Sequence, residues 1–393
     1  MQFGLKLGSK NTSYTEDIHF FYKREYFQYI ELFATPESFD DTIEYWKQLS
    51  IPIIIHAPHS FAGMNLSLSE ERENNINKIK ETFRFADALG SEFIIFHSGI
   101  NGTIEEAIYQ LRPFIDSRCL IENKPKKGLK DEKCIGSTPE EIKHLLNELQ
   151  ISFCFDIGHA ICAANSLERE PIGFMKEFLN LNPSMYHLTD GDYKNEHDTH
   201  LHYGKGTFPL KELIKIIPSE SKITNEAKHE DNLNAFKSDS IYLMSELYLR
   251  KAVYSDIDIL YEWATDPETR TNAFNTNPIS LDNHKSWFHE KLNSINTLIY
   301  IYHKRGKSIG QIRFDIKNDI AIIDYTISPS MRNKGHGYIM MVIAEIKVKY
   351  EHPEIKELWG DVKYNNIASQ NVFRKLNYKE IQQEEYIQFS KLI

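Results

Sequence analysis

Nine side chains able to hold a metal ion recur in and just beyond short apolar runs. They are His56 in IIIHAPH, His97 in FIIFHSG, Glu122 in CLIENKP, Asp156 and His159 in FCFDIGHA, His187 in MYHLTDGD, Asp198 and His200 in DTHLHYGKG, and Glu226 in ITNEAK. Imidazole nitrogens mixed with carboxylate oxygens suit zinc, manganese or iron, whereas calcium takes an all-oxygen shell. A single histidine at a strand end is ordinarily a hydrogen-bonded structural residue, and a single carboxylate there can cap the next helix. Six consecutive runs ending in such groups form a pattern, and the pattern predicts a shared cation site. His19, His144, His197 and His229 stand in polar or helical contexts and read as solvated surface. His59 and His202 lie within three residues of a proposed ligand.

A second group suits an anion. Arg332-Asn333-Lys334-Gly335-His336-Gly337 follows the apolar run Ile320–Ile327 and opens a helical stretch. Glycines there let the backbone turn and aim successive N–H groups at a phosphate, and the helix N-terminus adds partial positive charge.

The elements that must position these residues repeat one unit over the first 245 residues: a short β-rich run, a polar turn, then a helical stretch. The candidate strands are Gln2–Leu7, Tyr29–Phe33, Pro52–His56, Phe93–His97, Cys119–Asn123, Phe153–Asp156, Met185–Thr189 and Lys222–Glu226. Helix patterns cover Glu71–Leu89 and Pro139–Leu149, the latter capped by Ser137 or Thr138, and Asp231–Ser245 reads as the last helix. Eight βα units in this length predict a (β/α)8 barrel, whose strand C-termini open on one face and would gather the nine donors. From residue 246 the rhythm changes. Strands are expected at Tyr248–Ala252, Thr297–Tyr302, Ser308–Asp315, Ile320–Ile327 and Leu358–Val362, with hairpin turns at Lys304-Arg305-Gly306 and Lys317-Asn318-Asp319. Helices are expected at Ser255–Trp263, Asn283–Leu292, from the glycine loop to Tyr350, and at Ile367–Leu376. This predicts an α/β chain of two domains: a barrel over 1–245 and an α+β domain over 246–393.

The 393 residues carry a net charge of −10, unevenly placed. Residues 1–245 hold 26 Lys and Arg against 37 Asp and Glu, while residues 246–393 hold 20 against 19. An acidic first part is a poor partner for a phosphate backbone and argues against nucleic acid. No run approaches the ~18 apolar residues of a membrane span, and the start MQFGLKLGSKNTS lacks a signal-like apolar stretch. Four cysteines without a CxxC pair exclude a disulfide scaffold or zinc ribbon and lead us to expect a cytoplasmic protein. Oligomeric state is not legible.

In order, HAPH, FHSG, LIENK, FDIGHA, MYHLTD, DTH followed by GKG, and NEA resemble the xylose-isomerase-like barrel superfamily, which includes endonuclease IV and many sugar isomerases and epimerases. The resemblance implies that His56, His97, Glu122, Asp156, His159, His187, Asp198, His200 and Glu226 hold up to three zinc ions in the nuclease arrangement. In the epimerase arrangement Glu122, Asp156, His187 and Glu226 surround one divalent ion such as manganese, with Glu122 and Glu226 as acid and base. Asp198-x-His200 before Gly204-x-Gly206 points toward a phosphodiesterase. The acidic barrel, and His59 where the nuclease has a DNA-penetrating aromatic residue, point toward a sugar.

RNKGHG, with TISPSM before it and Asn366-Ile-Ala-Ser369 through Phe373-Arg-Lys-Leu-Asn-Tyr378 after it, resembles the acetyl-CoA site of GNAT N-acetyltransferases. The resemblance implies that Arg332, Asn333, Lys334, Gly335, His336 and Gly337 hold the pyrophosphate through the backbone. It also implies that main-chain groups at Ile327 polarise the thioester, and that Asn366 orients the pantetheine arm or a catalytic water. Phe373 stands where the family often has its tyrosine acid, and Asn377 where it has glycine. The stretch from Tyr248 to Phe288 resembles acetyltransferases acting on nucleotide-linked amino sugars in nonulosonic acid pathways. That places Glu262, Trp263, Arg270, His284 and Trp287 near the acceptor, although both tryptophans also read as core. The expected partners are therefore a sugar or sugar nucleotide and acetyl-CoA.

Overall fold

A computed structural model describes residues 1–218, 220–228, 233–304 and 307–393. The expectations for His229, for the hairpin residues Arg305 and Gly306, and for the helix start at Asp231 lie outside them. The chain divides into two compact units, Met1–Ser240 and Ile241–Ile393.

In the first unit eight parallel strands close in sequence order into a barrel: β1 (Gln2–Gly8), β2 (Tyr29–Phe33), β3 (Ile53–His56), β4 (Ile94–His97), β5 (Cys119–Glu122), β6 (Ser152–Asp156), β7 (Met185–His187) and β8 (Lys222–Asn225). Their apolar runs are buried on both faces because helices cover the outside. Register sets the chemistry. His97 lies opposite Glu122, Glu122 opposite Cys154, and, two residues further along β6, Asp156 lies opposite His187, so neighbouring strands bring these side chains together at the barrel mouth. Glu226 falls one residue beyond β8. The barrel closes where β8 pairs with β1, and there Gly4 is required by packing: a Cβ would stand 2.4 Å from the Tyr29 ring.

Local signals fix the helices around the barrel. Thr138 and Glu141 form a reciprocal capping box at Pro139–Leu149, which settles the cap on Thr138. Asp156 ends β6 and also caps Ile157–Ser166, accepting a hydrogen bond from His159 N at 2.7 Å. The predicted helix at Glu71–Leu89 is a 3₁₀ turn at Ser69–Glu71 followed by a helix at Arg72–Leu89. The last helix runs Asn234–Tyr248, three residues beyond its expected end.

The second unit is a seven-stranded sheet ordered β14–β15–β13–β12–β11–β10–β9, from β9 (Leu249–Lys251), β10 (Thr297–Lys304), β11 (Lys307–Lys317), β12 (Ile320–Ile327), β13 (Glu357–Lys363), β14 (Lys379–Gln382) and β15 (Tyr386–Leu392). All its pairs are antiparallel except β12–β13. That parallel pair is joined only over Ile320–Ile322 and Glu357–Trp359, while β12 stays bonded to β11 through Ile327 and β13 to β15 through Lys363. The sheet therefore splits into a wedge beyond Ile322. Trp263 is buried in a cluster with Leu260, Phe288 and Ile301, and Trp287 packs against it, as the core reading expected. Among the described residues no helix is long and apolar enough to cross a membrane, and all four cysteines are free and buried.

Candidate metal centre and acetyl-donor cleft

All nine predicted donors meet at the C-terminal mouth of the barrel. Their ligand atoms fall into three overlapping groups, each with all atoms within 4.8 Å of one another: His56, His97 and Glu122; Glu122, Asp156, His187 and Glu226; and Asp156, His159, Asp198 and His200. Glu122, fully buried, lies at the centre, 3.2 Å from His56, 3.0 Å from His97, 3.2 Å from His159 and 3.3 Å from His187.

The donor chemistry fits a cation. His56 Nδ1 donates to the Ala57 carbonyl at 2.7 Å, so in a neutral ring the Nε2 lone pair faces Glu122. His159 Nδ1 donates to the Asn123 carbonyl at 2.8 Å and leaves Nε2 toward Asp198. Glu122 Oε1, His187 Nδ1, Asp198 Oδ2 and His200 Nε2 are buried without a directed hydrogen bond, although each has an oppositely charged group nearby. Lone pairs turned on one another in a dry site are what a divalent ion satisfies. His97 is the exception: the Lys124 ammonium donates to its Nδ1 at 3.1 Å, so the ring presents Nε2–H to Glu122.

The electrostatics are those of crowded carboxylates. Burial, reinforced by Asp198 and Glu122, lifts Asp156 to about 6 despite His159. Burial opposes charge on His200, yet Asp198 and Glu226 raise it to about 9. Burial likewise opposes ionisation of Glu226, but His187 and Lys6 hold it well below the usual carboxylate range. His200 also adopts φ +47°, a left-handed conformation that costs a non-glycine residue about 1–2 kcal/mol, held by its N–H to Asp198 at 2.9 Å.

Several neighbours escaped the sequence reading. Glu31 in β2, with no exposure, meets His187, and Lys6 in β1 is paired with Glu31 and Glu226. Cys154 Sγ lies 3.5 Å from His187 Nε2, the nitrogen that Glu31 also meets. The available signal was a lone charge inside the apolar runs FGLKLG and YIELF. His59 stacks on His97 and packs at a tilt against Phe33, and burial with Lys124 nearby lowers it to about 3. Next to it Phe61 is 59% exposed, so an aromatic side chain does stand at the mouth. Gly204 and Gly206 serve the loop itself: their N–H groups bind Asp190, and a Cβ on Gly206 would meet the Gly191 carbonyl at 2.3 Å. His202 has both ring nitrogens occupied, by Asp239 and the Lys228 carbonyl. His19 is exposed, and His144 and His197 lie at the surface, paired there with Glu105 and Asp131.

In the second unit the wedge between β12 and β13 is a cleft of about 620 Å³ lined by Ile327, Arg332, Asn333, Gly335, His336, Gly337 and Asn366. Lys334 does not line it; its ammonium donates to the Ser330 carbonyl. Gly335 has φ +81° with open space where a Cβ would stand, and Asn333 has φ +59°. The first bond of the following helix is Ile339 N to Gly335 O, so the N–H groups of Gly337 and Tyr338 come before its ladder of i→i−4 bonds. The Arg332 guanidinium is turned to Asp266, Glu268 and the Ile327 carbonyl, leaving only its main chain for an anion. Asn366 caps Ile367–Lys375 through Ser369 N. Phe373 is buried against Phe389 and Tyr378. A second cavity of about 390 Å³ shares Thr269, Arg270, Asp324 and Thr326 with the first and reaches Trp263, His284 and Trp287. Glu262 does not line it and is exposed. His284 is buried, with Nε2 lacking a hydrogen bond.

Comparison with known proteins agrees with this architecture. Residues 24–235 match the family described as xylose isomerase-like TIM barrel, and residues 246–379 match the acetyltransferase (GNAT) domain. A probable endonuclease 4 of Thermoplasma volcanium is 26% identical over 227 residues, covering 51% of this chain and 79% of that protein. An uncharacterized protein of Methanocaldococcus jannaschii is 22% identical over 206 residues, 47% of this chain and 66% of the relative's length. Among solved structures, a D-tagatose 3-epimerase-like protein superposes with TM-score 0.49 at 20% identity, over 63% of this chain and 97% of its own.

Proposed function

The chain belongs to the xylose isomerase-like TIM barrel family, here fused to a GNAT acetyltransferase domain, and from that premise we propose that it is a bifunctional enzyme of sugar metabolism. The barrel isomerises or epimerises a small sugar or sugar nucleotide with a divalent metal, and the second unit N-acetylates a related amino sugar in surface-glycan or nonulosonic acid synthesis. The observation that carries the metal-dependent part is the convergence of nine donors in three overlapping groups, two of which share Glu122. The acidic balance of residues 1–245 supports a small substrate over a nucleic acid.

A divalent ion held by Glu122, Asp156, His187 and Glu226 would polarise a substrate carbonyl and its neighbouring hydroxyl. Oxygens of Glu122 and Glu226 lie within 4.8 Å of each other, close enough to serve one substrate carbon as acid and base. In the second unit, N–H groups along 333–337 receive the pyrophosphate of acetyl-CoA, and main-chain groups near Ile327 receive the thioester oxygen. A neutral amine entering from the smaller cavity attacks the thioester carbon, and the carbon–sulfur bond breaks. The amide C–N bond would form as that bond breaks, and the proton shed by the amine nitrogen would balance the one the departing thiolate takes up, since Phe373 has none to give.

The second reading, a zinc phosphodiesterase acting on abasic DNA, is favoured by the complete Asp156, His159, Asp198 and His200 group, of which the epimerase set uses only Asp156, and by exposed Phe61. One experiment separates the two. Metal-reconstituted full chain is incubated in D2O with D-fructose and D-tagatose, and in parallel with duplex DNA bearing an abasic site. Metal-dependent deuterium incorporation next to the carbonyl supports the sugar reading. DNA incision without exchange replaces it with the nuclease.

A further inference from the structure

Glu31 lies outside the predicted donor set, yet it is a fully buried carboxylate in the middle of an otherwise apolar strand. A buried carboxylate needs specific partners. Its Oε2 is 2.9 Å from His187 Nε2, and its Oε1 is 3.0 Å from the Lys6 ammonium. The other nitrogen of the same ring, Nδ1, faces three carboxylates: Glu226 at 3.0 Å, Glu122 at 3.3 Å and Asp156 at 3.9 Å.

We propose that Glu31 is a positioning residue that makes His187 an Nδ1 donor to the metal centre. An imidazole can offer a cation only the nitrogen that does not carry a proton. Glu31 accepts from Nε2–H, fixes that tautomer and the ring's angle, and leaves the Nδ1 lone pair aimed at the carboxylate side. Lys6 compensates the charge of Glu31, so the carboxylate can stay ionised in the barrel interior. Lys6 also contacts Glu226 and so ties a second donor to the same support. The Cys154 thiol near Nε2, at 3.5 Å, is a much weaker acceptor and does not replace Glu31. The inference rests on the metal-centre reading above.

The test uses the full chain stripped by chelator and titrated with zinc against a chromophoric competitor. Glu31→Ala should weaken zinc binding about 10- to 100-fold, the usual effect of losing a partner of a metal-bound histidine. Glu31→Gln, which keeps an acceptor oxygen, should fall between wild type and Glu31→Ala. Cys154→Ala opens a cavity beside the same ring and should bind zinc like wild type. In zinc-loaded protein labelled with ¹⁵N-histidine, His187 should show a protonated Nε2 and a metal-bound Nδ1. Wild-type affinity in folded Glu31→Ala, or in Glu31→Gln if the alanine variant does not fold, overturns the proposal while leaving the metal centre standing. So does an unprotonated Nε2, which would make Glu31 a ligand, or an equal loss in Cys154→Ala, which would make the effect one of packing. Failure of wild type to bind zinc overturns both.

Discussion

Four imidazoles approach Glu122, which joins two donor groups, as Asp156 joins the second of these to a third. Glu122→Gln keeps its volume but removes the anion, leaving the histidines with a neutral amide. Metal analysis of Glu122→Gln combined with Asp156→Asn should find most of the bound ion gone, while circular dichroism stays native. Phe373 makes the opposite case. It is 1% exposed, stacks on Phe389 at 4.9 Å and abuts Gly360, where a Cβ would meet its ring at 2.3 Å. Phe373→Ala should therefore cost about 3–5 kcal/mol in denaturant unfolding, a packing effect that needs no part in proton transfer. At this scale the sequence was informative where types repeated. Nine donors at and just beyond strand ends could be named because chance does not align six ends. Glu31, Lys6, Lys124 and Cys154 could not, since a single polar residue in a run does not disclose which way it points until the register is known.

Elements were legible where burial leaves a pattern. Most barrel strands are near-continuous apolar runs, and each of the eight was placed within two residues of its observed ends. β14 and β15 were not foreseen: β14 is exposed along its whole length at the sheet edge, and β15 mixes Gln, Ser and Lys into its alternation. The divergence of β12 from β13 was also invisible, because parallel pairing is a relation between strands and not a property of either. That wedge makes a prediction about the loop at its mouth. Gly335 holds φ +81°, and no atom lies within 4 Å of a Cβ placed there, so a side chain at this position strains the turn and projects into free space. If that space receives pyrophosphate, Gly335→Val should raise the Michaelis constant for acetyl-CoA at least ~10-fold, about 1.4 kcal/mol. If the loop is only a turn, stability should fall with no change in acetyl-CoA affinity measured by calorimetry. Asn366→Ala should cost about 1 kcal/mol through the lost cap, whatever its role toward the cofactor.

For the whole molecule, charge and topology restrict what the barrel can act upon. Residues 1–245 carry 11 more acidic than basic side chains, which disfavours an extended phosphate backbone while leaving a small substrate free to enter the mouth. Zinc-loaded protein should accordingly show little incision of duplex DNA containing abasic sites at stoichiometric enzyme. What the barrel does with a substrate depends first on whether its mouth holds a metal at all. The most direct measurement is elemental analysis of the full chain after chelator stripping, zinc or manganese add-back and desalting. The account predicts between one and three tightly held divalent ions per chain in wild type and a large loss in Glu122→Gln with Asp156→Asn. Retention of less than about a tenth of an equivalent by folded wild-type protein, far below what a site of buried, deprotonated donors holds, would contradict it.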